Sequence, residues 1–160
     1  MKKVIGQKDN KDLYAGLIGL HIPKDIKIYV EPFGGSFVLN KFFDKKPELM
    51  VYNDIIEYPF EVKADRIHHL DYKEVIQMYD SPETFFFLDP PYYAKEQFYG
   101  LPNKFNSFHE ELREFVTSIK GNFAMSYERC RYIEKLYVGF NIYSYEGPNP
   151  FLTKEIIITR

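Results

Sequence analysis

The chain has one cysteine, no tryptophan and no apolar run approaching the roughly 18 residues that a bilayer crossing requires. Cys130 therefore has no partner for an internal disulfide, and a single thiol with four scattered histidines makes no ligand set with zinc spacing, so no metal is expected. Met1-Lys2-Lys3 leads into polar residues with no apolar signal core, from which we expect a cytoplasmic protein with no membrane association. Linkers rich in Gly and Ser, low-complexity tracts and internal repeats are missing as well, and 160 residues leave room for one continuous domain, residues 1–160. Neither sign of charge dominates. With 21 basic against 23 acidic residues, the net charge of −2 gives the molecule as a whole no attraction for polyanions, and any nucleic-acid contact must be local.

What is present suits a packed core: 45% of residues are hydrophobic and 28% charged. Aromatics make up 18%, as 14 Tyr and 15 Phe, and these either fill the interior or offer flat faces to a planar ligand. Apolar spacing from Asp12 to Leu20 predicts a helix stopped by Pro23. Lys27–Glu31 reads as a strand that breaks at Pro32-Phe33-Gly34-Gly35, and a helix follows with Ser36 as its N-cap. Further strands are expected at Leu49–Tyr52, Arg66–Leu70, Thr84–Leu88, Asn122–Ser126, Phe140–Tyr145 and Glu155–Thr159. Helices are expected at Lys73–Tyr79, His109–Ile119 and Tyr127–Tyr137. The last two strands have only Gly147-Pro148-Asn149-Pro150 as a turn between them and should pair antiparallel. The sum is a doubly wound α/β fold, with a mixed sheet of about seven strands and an antiparallel terminal hairpin.

Four predicted strands deliver an acidic residue at or beside their carboxyl ends: Glu31, Asp54, Asp71 and Asp89. In doubly wound sheets that edge is where ligands bind. Glu31-Pro32-Phe33-Gly34-Gly35-Ser36 lies between strand and helix, where glycines serve either the turn itself or a close approach of backbone to ligand. Asp54, twenty residues beyond Gly34 at the end of the next strand, is placed to accept a ribose, and the loop has no Walker-type lysine. A cofactor carrying adenosine without a phosphate chain fits. Asp89-Pro90-Pro91-Tyr92 closes a wholly apolar strand, and its two prolines remove two backbone donors and lock the chain. Such rigidity would hold the Asp89 carboxylate and the Pro90 carbonyl as convergent acceptors beside the Tyr92 ring. A planar exocyclic amine such as that of an adenine turned out of its helix matches that shape.

In this order, Glu31-Pro32-Phe33-Gly34-Gly35, Asn53-Asp54, Asp71-Tyr72 and Asp89-Pro90-Pro91-Tyr92 resemble the DNA adenine methylase (Dam-like) class of S-adenosylmethionine-dependent N6-adenine methyltransferases. Gly6-Gln7-Lys8, Ser126 and Glu155-Ile156-Ile157-Ile158-Thr159 extend the likeness over the chain. The resemblance implies a Rossmann-like three-layer methyltransferase fold and methyl transfer from S-adenosylmethionine to the N6 amine of a flipped adenine in DNA. It implies that Phe33, Gly34 and Gly35 wrap the methionine part of the cofactor, and that Glu31, Pro32 and Ser36 beside them are cofactor-binding. Asp54 would hold the ribose, Asp71 and Tyr72 flank the cofactor adenine, and Lys8 makes an amino-terminal cofactor contact. Asp89, Pro90, Pro91 and Tyr92 would form the target-base pocket.

The family usually carries a recognition insert before the Asp-Pro-Pro-Tyr strand, whereas only seventeen residues separate Asp71 from Asp89 here. The target-recognition insert is largely absent. Some ten residues follow Asp54 before the next strand, so a helix there is shortened or lost. The stretch after Tyr92, running to Phe108, is the candidate target-strand loop. Basic residues gather at Lys2, Lys3, Lys8 and Lys11, at Lys95 and Lys104, and at Arg129, Arg131 and Lys135, either as solvated faces or as local phosphate contacts. Weak sequence specificity, or a partner subunit that supplies it, is the expectation. The alternatives are a cytosine-N4 methyltransferase and a catalytically reduced regulatory subunit. His68, His69 and His109 carry no assigned role.

Overall fold

The structure, a computed structural model, describes residues 18–37, 43, 46–144 and 154–160. Lys8 with Gly6 and Gln7, all but the end of the helix expected at Asp12–Leu20, most of the helix expected after Ser36, and the 147–150 turn lie outside the described residues.

Strands form where apolar and β-branched runs predict them. β1 spans Ile28–Glu31, β2 Leu49–Asn53, β3 Arg66–His68, β4 Thr84–Leu88, β5 Asn122–Glu128, β6 Asn141–Ser144 and β7 Glu155–Thr159. Between them lie α1 (Tyr72–Tyr79), a 3-10 turn (Glu96–Tyr99), α2 (Asn106–Ser118) and α3 (Arg131–Leu136). The seven strands make one sheet in the order β3-β2-β1-β4-β5-β7-β6. β1 to β5 run parallel, and β7 enters antiparallel to both β5 and β6. The fold is therefore the Rossmann-like methyltransferase arrangement with an antiparallel end.

The two faces of the sheet divide the core according to the two-residue period of a strand. Val30, Val51, Phe86, Leu88, Phe123, Met125 and Tyr127 point to one side, where Val75 and Ile76 of α1, Leu112 and Val116 of α2 and Ile133 of α3 cover them. Tyr29, Met50, Tyr52, Phe85, Phe87, Ala124 and Ile157 point to the other, against Ile18 and Phe37. All five residues of β4 are buried, which is why its sequence is an uninterrupted Thr-Phe-Phe-Phe-Leu.

Three boundaries differ from expectation. β5 runs on through Tyr127 and Glu128, which pair with Ile156 and Glu155 of β7, so α3 begins only at Arg131. Ladder bonds to β7 outweigh the helical apolar spacing there. α2 starts three residues before His109 at Asn106. β3 ends at His68, short of the expected Leu70; between β2 and β3 no helix forms in 54–65, in line with the expected shortening or loss.

Strand order reverses at β1, whose neighbours are β2 on one side and β4 on the other. A crevice opens outside the carboxyl ends of strands at such a switch point. Glu31 ends β1 and Asp89 follows β4, so these two carboxyls stand on either side of it.

Candidate functional site

Asn53, the last residue of β2, ties the carboxyl edge together. Its amide nitrogen donates to the carbonyls of Pro32 (2.9 Å) and Leu70 (3.0 Å), and its amide oxygen accepts from the Leu70 N–H (2.9 Å). Its backbone carbonyl accepts from Gly34 at 2.7 Å. One buried side chain thus fixes the loops after β1 and β3 relative to β2, a task that the sequence marks only as an Asn beside the conspicuous Asp54.

The glycine loop is pinned from two sides. A Cβ on Gly34 would sit 2.3 Å from the Tyr52 ring and 3.0 Å from the Asn53 carbonyl oxygen, so only glycine lets the loop lie on β2. Gly35 is left-handed (φ 47°) and has open space where a Cβ would point. Its N–H donates to Asp54 Oδ2 at 2.9 Å, and its carbonyl accepts from the Tyr52 hydroxyl at 3.1 Å. Asp54 Oδ1 accepts from the Ile56 N–H at 2.9 Å. Burial raises the Asp54 carboxyl above its ordinary range, and these two amides partly offset that. A carboxylate has about four acceptor positions, so two remain for further donors. Asp54 and the loop that includes Gly34 and Gly35 are brought together as expected.

Asp71 caps α1. Its Oδ1 accepts from the Lys73 N–H at 2.9 Å while Glu74 reaches back to the Asp71 N–H at 3.2 Å, a complete capping box. Tyr72 is buried, its ring 5.1 Å from that of Phe33 and about 6 Å from those of Phe108 and Phe115. Phe33 is half-buried and lies over it. Pro32 is buried at the start of the turn, while Ser36 and Gly35 are half-exposed at its far end.

Glu31 is 2% exposed and accepts a 2.7 Å hydrogen bond from the Tyr29 hydroxyl. Burial raises its pKa to about 8; the Tyr29 bond works against this and the nearby Asp89 adds to it. Asp89 accepts a short hydrogen bond from the Ser126 hydroxyl on β5, which also reaches the Leu88 carbonyl at 3.5 Å. Pro90 and Pro91 are buried. Tyr92 is half-buried, and its hydroxyl donates to Glu155 Oε2 on β7 at 2.6 Å. The late residues Ser126 and Glu155 thereby orient two members of the Asp89–Tyr92 segment. A sequence offers no sign of those contacts, because they join positions 37 and 63 residues apart.

Residues 41–147 match the D12 class N6 adenine-specific DNA methyltransferase family. The chain belongs to that family. The matched span contains Asp54, Asp71 and Asp89–Tyr92, whereas Glu31–Ser36 precede it. A search of curated proteins finds no match. Among solved structures, the yhhF protein of Escherichia coli, described as a methyltransferase, superposes with a TM-score of 0.61 at 10% identity, covering 98% of this chain and 88% of its own. An rRNA methylase from Streptococcus thermophilus gives 0.55 at 11% identity over 92% of each chain. SMU.776, described as a methyltransferase complexed with SAH, gives 0.50 at 12% identity over 85% of this chain and 45% of its own. At such identities these likenesses concern the fold.

As a member of the family, this adenine DNA methyltransferase takes its methyl group from S-adenosylmethionine and acts on DNA. The Asp89 carboxyl lies close enough to Glu31 to add to the rise that burial causes in the Glu31 pKa. Open space at Gly35 lets a ligand approach the backbone. Among the described residues no group of three or more His, Cys, Asp or Glu could hold a metal ion, and no helix is long and apolar enough to cross a membrane.

Proposed function

We propose that Asp89 to Tyr92 bind the target adenine and that Glu31 to Ser36, Asp54, Asp71 and Tyr72 form the donor side of one continuous site. The observation that carries this reading is the placement of Glu31 and Asp89 at the carboxyl ends of neighbouring parallel strands, at the switch point of the sheet. The donor, when bound, supplies a methyl group already activated by its sulfonium. What the chain adds is alignment. Asp89 and the Pro90 carbonyl accept the two amine hydrogens of the adenine, which draws the nitrogen lone pair out of conjugation with the ring. The Ser126 hydroxyl holds the Asp89 carboxylate in one rotamer, and Glu155 holds the Tyr92 phenol so that its ring can face the base. Positioning of this kind can supply several kcal/mol of the barrier reduction.

In Asp89→Ala, methyl transfer to duplex DNA should fall by about a hundred- to a thousandfold, the scale of losing a preorganised polar group at a reacting centre, while donor affinity changes by less than about threefold. Transfer of tritiated methyl and equilibrium dialysis of the donor measure the two. Near-normal turnover would refute the assignment. Nucleoside analysis of the product separates N6-methyladenine from N4-methylcytosine.

Recognition of the DNA site belongs, on this reading, to a partner subunit or is weak. α1 and β4 take up most of the seventeen residues between Asp71 and Asp89, and the single domain has no recognition unit there. A DNA substrate supports a cytoplasmic location. The regulatory-subunit reading has less support, because Ser126 and Glu155 maintain the geometry of Asp89 and Tyr92.

A further inference from the structure

The loop that follows Tyr92 contains a side chain that the methyl-transfer site does not use. Glu96, in the 3-10 turn, is fully buried, and so is His109 in the first turn of α2. Glu96 Oε1 lies 2.9 Å from His109 Nε2, and His109 Nδ1 lies 2.8 Å from the hydroxyl of Tyr127 on β5. The same carboxylate accepts from the Lys104 N–H (Oε2, 3.1 Å) and the Phe105 N–H (Oε1, 3.2 Å), at the point where the chain enters α2. No side chain of the helix's own N-cap residue does so, since that residue is Phe105. Glu96 thus supplies a cap from across the loop, where the helix dipole favours negative charge.

The protonation pattern is fixed by chemistry. A carboxylate can only accept, so Nε2 carries the hydrogen and Nδ1 accepts from Tyr127. Burial lowers the His109 pKa, against the pull of Glu96. Burial raises the Glu96 pKa, but the bonds from His109 and the backbone more than reverse that and leave it below its ordinary value. The pair is a carboxylate and a neutral imidazole joined by a charge-assisted hydrogen bond.

The loop so held is strained at both ends. Ala94 (φ 63°) and Lys104 (φ 52°) are left-handed without being glycine. Such backbone is unfavourable for a residue with a Cβ and persists only where the surroundings impose it. Next to Tyr92, Tyr93 stacks on Tyr132 of α3 at 4.2 Å and meets the His109 ring edge-on at 5.6 Å.

We propose that Glu96 and His109 are positioning residues that clasp the 93–105 loop onto α2 and β5, so that the segment emerging from Asp89–Tyr92 is already shaped for the extruded adenine and its flanking nucleotides. This rests on the reading of Asp89–Tyr92 as the base pocket. Freed from the clasp, the left-handed residues relax, the loop samples many conformations, and DNA binding must restore order at its own expense.

Two measurements on the full chain separate this proposal from that reading. Amide hydrogen exchange needs no DNA. In Glu96→Gln the N–H groups of Lys104 and Phe105 should exchange at least about tenfold faster than in the parent, with the amides of β1 and β4 unchanged. Steady-state methylation should then show KM for DNA raised about tenfold, donor Kd unchanged and kcat at saturating DNA within about threefold, the pattern of lost binding order with intact chemistry. His109→Gln, which keeps a donor toward Glu96, should show smaller changes in the same direction. The clasp is overturned by unchanged exchange at Lys104 and Phe105. Its positioning role is overturned by faster exchange with unaltered KM, or by loss of the whole fold in both variants, which would make the pair an anchor of the core. Failure of the base-pocket reading appears elsewhere, as normal turnover in Asp89→Ala.

Discussion

Glu31 carries its proton at neutral pH because burial, reinforced by Asp89, raises its pKa from 4.5 to about 8. The unfolded chain has released that proton by pH 7 and the folded chain has not. Between pH 4.5 and 8 the unfolded state therefore binds fewer protons, and stability falls as pH rises through this window, then levels off above it. Glutamine has the shape of the protonated side chain and can still accept from Tyr29. Glu31→Gln should therefore be more stable than the parent by about 1–3 kcal/mol at pH 8 and close to it at pH 5, in denaturant titrations at both values. An equal gap at both pH values would show that the carboxyl does not titrate in this range. The same variant should bind the donor more weakly, since the side chain can no longer ionise against an incoming cation. If Glu31 serves the donor as proposed, stability and donor binding pull on this residue in opposite directions.

Elements set the site through contacts that one element makes on the next. The loop after β1 lies directly on the Tyr52 ring of β2, and Gly34→Ala should cost roughly 1–3 kcal/mol by overpacking, lowering Tm by about 3–10 °C. Gly35 has room for a methyl group but is left-handed, so Gly35→Ala should lose about 1 kcal/mol from backbone strain alone. Calorimetry of the two variants distinguishes steric from conformational cost, and a Gly34→Ala melt equal to the parent would show that the loop stands away from β2. At this level the strands were readable, since Thr84–Leu88 and Glu155–Thr159 carry their apolar pattern plainly. The end of β5 was not. Tyr127 and Glu128 fit a helical period as well as a strand, and pairing with β7, encoded some thirty residues later, decides between them. Glu96 and His109 were equally hidden, because a lone acid and a lone histidine in a polar stretch normally face solvent.

For the molecule as a whole, charge is divided between the candidate DNA surface and internal pairing. Lys95 is bound to Glu128, Arg129 to Glu134 at 2.8 Å and Lys73 to Glu111 at 2.9 Å. Basic residues held by neighbouring acids release fewer counterions from DNA. With each neutralised phosphate contributing about −0.9 to the slope of log K against log salt, we expect the chain alone to give a slope between about −1 and −3. Fluorescence anisotropy over 50–300 mM salt measures it. A slope steeper than about −5 would show a broad phosphate footprint and remove the argument for a partner subunit. The sequence by itself determined the alternation of strands and helices, the acidic residues at the strand ends and the Asp89-Pro90-Pro91-Tyr92 segment, because hydrophobic period and proline geometry are local properties of the chain. Only the tertiary structure decided which distant side chains hold those residues in place. Asn53 across three strand ends, Ser126 on Asp89, Glu155 on Tyr92 and Glu96 beneath α2 are matched to their partners by the folding of the sheet, and hydrogen bonds between positions far apart leave no periodic trace in a sequence.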